Sequence, residues 1–167
     1  MAPGRPDGSG IVCRIRAGAR PRAGSRAVTL PFPSAEWVAA YGAAINASET
    51  YRTASLNWTF GAVALVVAAQ PAIGLAEPLA IWLDLDRGAC REARLTPAAE
   101  ADAAPFILTA EYARWKQIIR REVGPIAAIL QRKLALKGSL PIVVRFVKSA
   151  EALVDVATTL PTRFLDE

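Results

Sequence analysis

The sequence predicts a single α+β domain in which helices and strands occupy separate stretches of the chain. Apolar residues recur at helical spacing in several segments, whereas residues 79–86 alternate between apolar and polar positions as a strand does. The chain has 167 residues, 53% of them hydrophobic and 21% charged, which is enough for one sizeable core. The predicted order is a helix, three antiparallel strands, a fourth strand, a broken helix, a fifth strand and a final helix.

The first helix is predicted to begin after Pro33-Ser34 and to end near Asn46-Ala47-Ser48. Ser34 can cap this helix, and Glu36 lies in its first turn, where the helix dipole favours an acid. Its buried face is predicted from four apolar residues at steps of three and four: Trp37, Val38, Tyr41 and Ile45.

Three strands are predicted to follow. The first is long, about Leu56–Ala69, and ends at a turn over residues 70–74. The second, Leu79–Asp86, leads through the hairpin turn Asp86-Arg87-Gly88 into the third, Cys90–Thr96. The second strand alternates between an apolar face with Ile81, Leu83 and Leu85 and a mixed face with Trp82, Asp84 and Asp86.

A membrane span is the alternative for part of this region, because no residue from Thr53 to Ala76 is charged. The uninterrupted apolar run, Phe60–Ala69, is about half the ~20 residues that a spanning helix needs. Gln70-Pro71 follows it directly. A buried strand is therefore the favoured prediction.

The second half begins with a predicted linker, Pro97–Pro105, and a strand, Phe106–Thr109. A helix is predicted from about Glu111, and Gly124-Pro125 interrupts it because proline cannot donate a backbone hydrogen bond and disfavours a helical residue before it. The residues predicted to face inward on the two sides of this break are Tyr112, Trp115, Ile118, Ile119, Ile126, Ile129 and Leu130.

A short strand, Leu134–Lys137, and a last helix complete the prediction. Gly138-Ser139 is expected to start that helix, with Ser139 as its capping residue. Its predicted inward side consists of Val143, Phe146, Val147, Ala150, Leu153, Val154 and Ala157.

The net charge of +5 is unevenly distributed. Residues 1–30 contain six arginines and one aspartate, whereas residues 31–167 contain 14 bases and 14 acids. Nucleic-acid binding by the domain therefore does not follow from the high pI. We expect a disordered extension over residues 1–30 that is not a secretory signal, and a folded domain over residues 31–167.

Two cysteines, Cys13 and Cys90, are too few for a disulfide framework, so a reducing compartment and a cytoplasmic location are expected. The chain has no histidine, which excludes Ser-His-Asp and Cys-His catalysis. The residues Asp84 and Asp86 do not begin a calcium loop, because Leu95 stands where the last acid ligand would be. We predict a protein that is not an enzyme and that needs no metal or cofactor.

Five segments together resemble the sterol carrier protein 2 family, and more closely its small stand-alone prokaryotic branch. The resemblance extends over about Phe32–Phe164, and the order and spacing of the segments are more specific than any one of them. The segments are FPSAEWVAAYGAAIN with the following ETYR, LAIWLDLDRGACREARL, Tyr112-Ala113-Arg114-Trp115-Lys116, LQRKLALKGSL and ATTLPTRF.

The resemblance implies a five-stranded, mostly antiparallel sheet, with helices on one face enclosing an apolar tunnel that accepts fatty-acyl chains, sterols or other lipids. It also implies lipid binding without catalysis. Family members usually carry Gly-Lys-Leu before the last strand and Gly-Asp after it. Here Gln131-Arg132-Lys133-Leu134 and Gly138-Ser139 stand in those places.

The main functional hypothesis is a lipid cavity, since an apolar ligand gains about 25 cal/mol per Å2 of area removed from water. For each residue taken alone, the alternative is a place in an ordinary packed core. For the whole protein, the alternative is an accessory role, in which it acts by surface contacts on an enzyme of lipid or quinone metabolism. The predicted lining consists of Phe106, Leu108, Trp115, Ile118, Ile119, Ile126, Ile129, Leu130, Leu134, Val143, Phe146 and Val147.

Bases outnumber acids between Glu111 and Lys137, and four of them are candidates for contact with a lipid headgroup or an anionic membrane. These are Arg114, Lys116, Arg120 and Arg121. A solvated helix face is the alternative. The expected partners are thus an apolar lipid ligand and an anionic membrane surface, and not nucleic acid, because no aromatic stacking platform accompanies the bases.

Overall fold

The structure is a computed structural model that describes residues 28–167. Its strands are β1 (Leu30–Phe32), β2 (Val63–Val67), β3 (Leu79–Asp86), β4 (Ala89–Pro97), β5 (Phe106–Ala110), β6 (Ala135–Lys137) and β7 (Thr162–Phe164). Its helices are α1 (Ala35–Ala47), α2 (Glu49–Ala54), α3 (Tyr112–Ile119), α4 (Pro125–Leu130), α5 (Leu140–Arg145) and α6 (Val147–Thr158). Two short 3-10 turns cover Pro71–Ile73 and Ala98–Ala103.

The main sheet has five strands in the order β4-β3-β2-β5-β6. Strands β2 and β5 pair in parallel, and the other three neighbouring pairs are antiparallel. The predicted five-stranded, mostly antiparallel α+β domain is therefore confirmed. A separate parallel ribbon joins β1 to β7, which the sequence did not reveal because each strand has only three residues.

The α-helices cover one face of the sheet and form the main core with it. Every second residue of β3 faces them, so that Ile81, Leu83 and Leu85 are buried as predicted. Helix α1 packs closely on β4, where a Cβ added to Gly42 would lie 2.6 Å from the Cβ of Ala93. The predicted Ser34 cap of α1 is also present, since its side-chain oxygen accepts from the Trp37 amide.

The second predicted element, the long strand from Leu56, is wrong over its first half. Ser48 caps a short helix, α2, by accepting a hydrogen bond from the Tyr51 amide at 3.2 Å. The chain then runs through a loop in which the Trp58 indole donates to the Gly61 carbonyl. Only Val63–Val67 pairs as a strand, and Leu56 is 55% exposed. The alternation of apolar residues before residue 62 thus belongs to a loop.

The predicted linker over residues 97–105 is largely the 3-10 turn Ala98–Ala103, which packs on the other face of the sheet. Small residues allow this close contact, and they form a second, alanine-rich core. Its buried members are Ala62, Ala64, Val66, Ala80, Ala101, Ala104 and Ile107.

The predicted break between α3 and α4 lies over residues 120–124, with Pro125 as the first residue of α4. Helix α3 ends in a Schellman motif, in which the Glu122 amide donates to the Gln117 carbonyl and Arg121 has φ of 60°. Helix α4 ends in the same way, with Arg132 at φ of 58°. Both left-handed positions are ones that favour glycine.

The prediction for the last helix requires two corrections. Ser139 precedes α5, but its side chain accepts no capping hydrogen bond, and Pro141 in the first turn has no amide hydrogen to donate. The helix is also divided at Phe146, whose φ of −102° and ψ of 34° separate α5 from α6. None of the helices within residues 28–167 is both long enough and apolar enough to cross a bilayer.

Most of the predicted disordered extension, residues 1–30, lies outside the described residues, and so does Cys13. Leu30 is the first residue of β1, and its amide donates to the Pro161 carbonyl at 2.6 Å. The described domain therefore begins slightly before the predicted boundary at residue 31.

Candidate apolar ligand site

Two adjoining cavities lie between the sheet and the helices, with volumes of about 70 and 90 Å3. We call them the distal cavity, against β6 and α5, and the proximal cavity, against α1 and α3. Four side chains border both cavities and separate them: Val63, Leu108, Ala150 and Leu153.

Helices contribute more residues to the walls than strands do. The distal cavity is also lined by Tyr51, Trp58, Leu85, Phe106, Leu136, Val143, Phe146 and Ser149. The proximal cavity is also lined by Phe32, Trp37, Tyr41, Leu65, Val67, Ile81, Trp115, Ile118, Ile119, Pro125, Leu134, Val154 and Ala157. The strand residues alternate along β2 and β3, and the α6 residues follow helical spacing.

The polar atoms of the aromatic residues in these walls bond to the protein itself. The Tyr41 hydroxyl donates to the Leu153 carbonyl at 2.9 Å, and the Trp115 indole donates to the Val66 carbonyl at 2.8 Å. The Trp37 indole donates to the Thr162 hydroxyl at 2.9 Å. With these donors occupied, the walls present mainly carbon to a ligand.

Burial also makes this environment unfavourable to charge. It raises the pKa of Tyr41 far above its ordinary value. Burial likewise raises the pKa of Tyr51 to about 12, although a hydrogen bond with Ser55 acts in the opposite direction. A charged group placed in the cavities would lose its hydration in the same way, so the site suits a neutral apolar moiety.

One polar cluster borders the distal cavity. The Ser55 hydroxyl donates to the Ser149 hydroxyl at 2.9 Å, which donates in turn to the Ala54 carbonyl at 2.9 Å. Both serines are buried. This chain of hydrogen bonds ties α2 to α6 at the end of the cavity.

Eight of the twelve predicted lining residues border a cavity. They are Phe106, Leu108, Val143 and Phe146 for the distal cavity, and Leu108 again with Trp115, Ile118, Ile119 and Leu134 for the proximal one. The other four, Ile126, Ile129, Leu130 and Val147, border neither. Ile129 lines a surface depression beside β6, and Leu130 is 63% exposed.

The prediction missed the lining residues contributed by β2, β3, α1 and α6. A usable signal exists for the strands, since Val63, Leu65 and Val67 alternate on the same face as Leu108. The signal for α1 is its apolar face, from which Trp37 and Tyr41 reach the proximal cavity. From the sequence alone, the strand alternation and the apolar face of α1 predict only buried positions.

The four bases predicted to contact headgroups lie on or just after α3. The Lys116 ammonium is 2.8 Å from carboxylate oxygens of both Asp166 and Glu167, and Arg120 also pairs with Glu167. Arg121 pairs with Asp155. The Arg114 guanidinium donates to the Gln117 side-chain oxygen.

These ion pairs have consequences in the pKa values of the partners. Hydrogen bonds to Asp166 and Glu167 raise the pKa of Lys116, and its ammonium lowers the pKa of both carboxyl groups. Acidic side chains of the protein itself therefore offset much of the positive charge on and just after α3. Its contact with headgroups remains a prediction.

Cys90 is a buried residue of β4 that is fixed by its neighbours. The Asn46 side chain bonds to both the amide and the carbonyl of Cys90, each at 2.8 Å. Burial raises the pKa of its thiol to about 11. Within residues 28–167, no three His, Cys, Asp or Glu side chains come together as metal ligands would.

The fold and the cavities define an α+β protein with an apolar site between a five-stranded sheet and its helices. Residues 62–151 match the model of the SCP-2 sterol transfer family, and the chain belongs to this family. The predicted resemblance to sterol carrier protein 2 is thereby confirmed.

Two solved structures resemble the chain along most of its length. A crystal structure of sterol carrier protein 2 is 32% identical, with a TM-score of 0.70 over 76% of this chain and 97% of that one. A conserved hypothetical protein from Thermus thermophilus, considered a possible sterol carrier protein, is also 32% identical. Its TM-score is 0.70 over 78% of this chain and 90% of that one. No curated protein matches the sequence.

Proposed function

We propose that the protein binds an apolar lipid in the joined cavities and carries or presents it in the cytoplasm without catalysing a reaction. The observation that supports this most is the pair of adjoining cavities, whose aromatic polar atoms already have partners. Membership of the SCP-2 sterol transfer family and likeness to sterol carrier protein 2 point in the same direction.

The ligand class that fits is a fatty-acyl, sterol-like or isoprenoid molecule whose apolar part is buried. Pockets that bury a drug-sized ligand commonly have volumes of about 300–1,000 Å3. The cavities of about 70 and 90 Å3 are much smaller, so a ligand must widen them on entry. We expect rotation of Leu108 and Leu153, which border both cavities, to join the two spaces.

The absence of catalysis is proposed from the chemistry of the residues available. The sequence has no histidine, and the Cys90 thiol is buried with a raised pKa. Neither cavity has a lysine, arginine, aspartate or glutamate among its lining residues within the described part of the chain. General acid–base or nucleophilic catalysis would need such a group within hydrogen-bond reach of the ligand.

The small cavity volumes favour one alternative function. A protein whose core is nearly filled could act by surface contacts, as an accessory to an enzyme of lipid or quinone metabolism. In that case the cavities would be packing defects and would take up no lipid.

Native mass spectrometry of the purified chain, followed by solvent extraction, distinguishes the two functions. We expect a lipid to co-purify, and the Ala150→Leu variant to retain about tenfold less of it, because Ala150 borders both cavities. The matched control is Ala113→Leu, at an exposed position of α3, which should retain lipid as the unaltered chain does.

Folding of both variants is checked by thermal unfolding. Protein that carries no lipid, and that binds neither oleic acid nor cholesterol on addition, would contradict lipid binding and favour the accessory function. Equal retention by the Ala150→Leu and Ala113→Leu variants would contradict the assignment of the lipid to these cavities.

A further inference from the structure

A continuous stretch of the chain beside the distal cavity carries positive charge only. Between Glu122 and Glu151 there are five bases and no acid: Arg132, Lys133, Lys137, Arg145 and Lys148. All five are exposed. None of the ion pairs among residues 28–167 involves them, in contrast to Lys116, Arg120 and Arg121.

The same stretch exposes large apolar side chains. Leu130 is 63% exposed, Leu140 38% and Val144 43%, and these are three of the five exposed large hydrophobic residues within residues 28–167. Leu140 and Val144 are four residues apart on α5, so they lie on one side of that helix.

A surface depression connects the end of α4 with the start of α5. It is lined by Ile129, Arg132, Leu134, Ala135, Leu136, Gly138 and Leu140. Leu130 and Lys133 adjoin it in sequence. Around this depression we group the exposed residues at the end of α4, directly after it and on α5, and call them the basic apolar face: Leu130, Arg132, Lys133, Leu140, Val144 and Arg145.

The backbone at Arg132 supports a role for its charge. Arg132 occupies a left-handed position at the end of α4, with φ of 58°, where a non-glycine residue is disfavoured by about 1 kcal/mol or more. Strained positions of this kind are found at functional sites. A glycine would satisfy the turn, but it would remove a base that lines the depression.

We propose that the basic apolar face docks on an anionic lipid bilayer. Leu130, Leu140 and Val144 would enter the interface, while Arg132, Lys133 and Arg145 meet the phosphate groups. Exposed aliphatic side chains among unpaired bases are the combination that interfacial binding requires, and each base near an anionic surface adds attraction. Nucleic acid fits less well, because no aromatic ring among the described residues is exposed on this face to stack on a base.

The position of this face relates docking to lipid exchange. Val143 lies on α5 together with Leu140, Val144 and Arg145, and it lines the distal cavity. Leu136 and Phe146, which precede and follow α5 in the chain, line the same cavity. A bilayer on the outer side of these elements would lie close to the cavity. The link between docking and lipid exchange rests on the proposed lipid binding, whereas docking itself can be measured on delipidated protein.

Flotation with vesicles of phosphatidylcholine alone, or with about one third phosphatidylglycerol, tests the proposal on the full chain. We expect binding to the anionic vesicles only, weakening as salt is added. The Lys133→Gln/Arg145→Gln double variant should bind about tenfold less tightly. The matched control, Arg114→Gln/Arg120→Gln, changes the charge equally on α3 and should bind nearly as the unaltered chain does.

A Leu130→Ser variant separates interfacial insertion from charge alone, and thermal unfolding of this variant checks that its exposed substitution leaves the fold intact. We expect it to lose several-fold in vesicle affinity. Unchanged vesicle binding by Leu130→Ser, or equal losses for the two double variants, would overturn the proposal. Tighter binding to double-stranded DNA than to anionic vesicles at equal phosphate concentration would also overturn it. Lipid retention, measured separately by extraction, shows whether the cavity assignment stands when docking fails.

Discussion

Arg132 combines a backbone that favours glycine with a side chain that lies on the basic apolar face. Family members usually carry Gly-Lys-Leu at this point, whereas this chain has Arg132-Lys133-Leu134. The turn nevertheless forms, because the Lys133 amide donates to the Ala128 carbonyl at 2.8 Å and the Arg132 amide donates to the Ile129 carbonyl at 3.0 Å. The Schellman motif thus survives the loss of glycine at a cost in backbone strain.

The Arg132→Gly variant is expected to be more stable than the unaltered chain by about 0.5–1 kcal/mol. Glycine relieves the left-handed strain, although it also gains entropy in the unfolded state. The Arg132→Ala control keeps the strain and removes the same charge, so its stability should change little. Urea unfolding measures both. Equal stability of the glycine and alanine variants would show that the strain is absent.

Cys90 should be chemically inert in the folded protein. The thiolate is the reactive form, and burial raises the pKa of this thiol to about 11. At about pH 8 roughly one molecule in a thousand would carry a thiolate there. Reaction of a Cys13→Ser variant with a chromogenic disulfide should therefore be slow until urea unfolds the chain. Rapid labelling of the native protein would show that Cys90 is accessible.

At the scale of elements, the sequence predicts those helices and strands whose periodicity and end signals all lie within their own segment. Strand β3 was predicted with its observed bounds, because alternation and a hairpin turn mark both its faces and its end. The strand predicted from Leu56 failed because Leu56, Trp58 and Phe60 alternate within a loop. That loop follows the helix that Ser48 caps. It also depends on the contact of Trp58 with Phe106 and Phe146, two residues that are distant in sequence.

Helices α4 and α5 are only weakly anchored around the cavities. Helix α4 buries only Ala128 fully, and α5 buries no residue fully, whereas β2 and β3 are largely buried. Both are also short, with six residues each. These helices are therefore the part of the wall that can move most easily to widen the cavities.

Hydrogen exchange should reveal this difference between elements. Amides of α4 and α5 are expected to exchange at least about tenfold faster than those of β2 and β3, and to slow when oleic acid is added. Exchange followed by mass spectrometry, with and without the fatty acid, measures both effects. Protection that appears only in elements remote from the cavities, or α4 and α5 amides as slow as those of β2, would contradict this role for the helices.

At the scale of the whole molecule, the sequence predicted only part of the cavity wall. The residues of α3, β5 and the α5–α6 junction were recognised because apolar helical stripes and the family resemblance point to them. For β2, β3, α1 and α6 the sequence predicts only buried positions, since a periodic apolar pattern does not tell whether the facing side chains meet or leave a gap. That gap depends on how two surfaces fit together, which no single segment encodes.

The distribution of charge also becomes clear only in the folded molecule. The bases on α3 and those after α4 look alike in sequence, but Asp155, Asp166 and Glu167 pair only with the first group. These acids lie far along the chain from α3, so their pairing depends on the fold. The basic apolar face is consequently the surface that we propose for an anionic partner, and headgroup contact by α3 stays a prediction.

The central claim, that an apolar ligand enters the cavities, is tested most directly by fluorine NMR of the chain labelled with 5-fluorotryptophan. The four tryptophans form a built-in comparison, since Trp37, Trp58 and Trp115 line the cavities and Trp82 packs on the opposite face of the sheet. Addition of oleic acid or cholesterol should shift the Trp58 signal as the distal cavity fills, and the Trp37 and Trp115 signals as the proximal cavity fills. The Trp82 signal should stay in place. Four unchanged signals, or a shift of Trp82 alone, would contradict the claim.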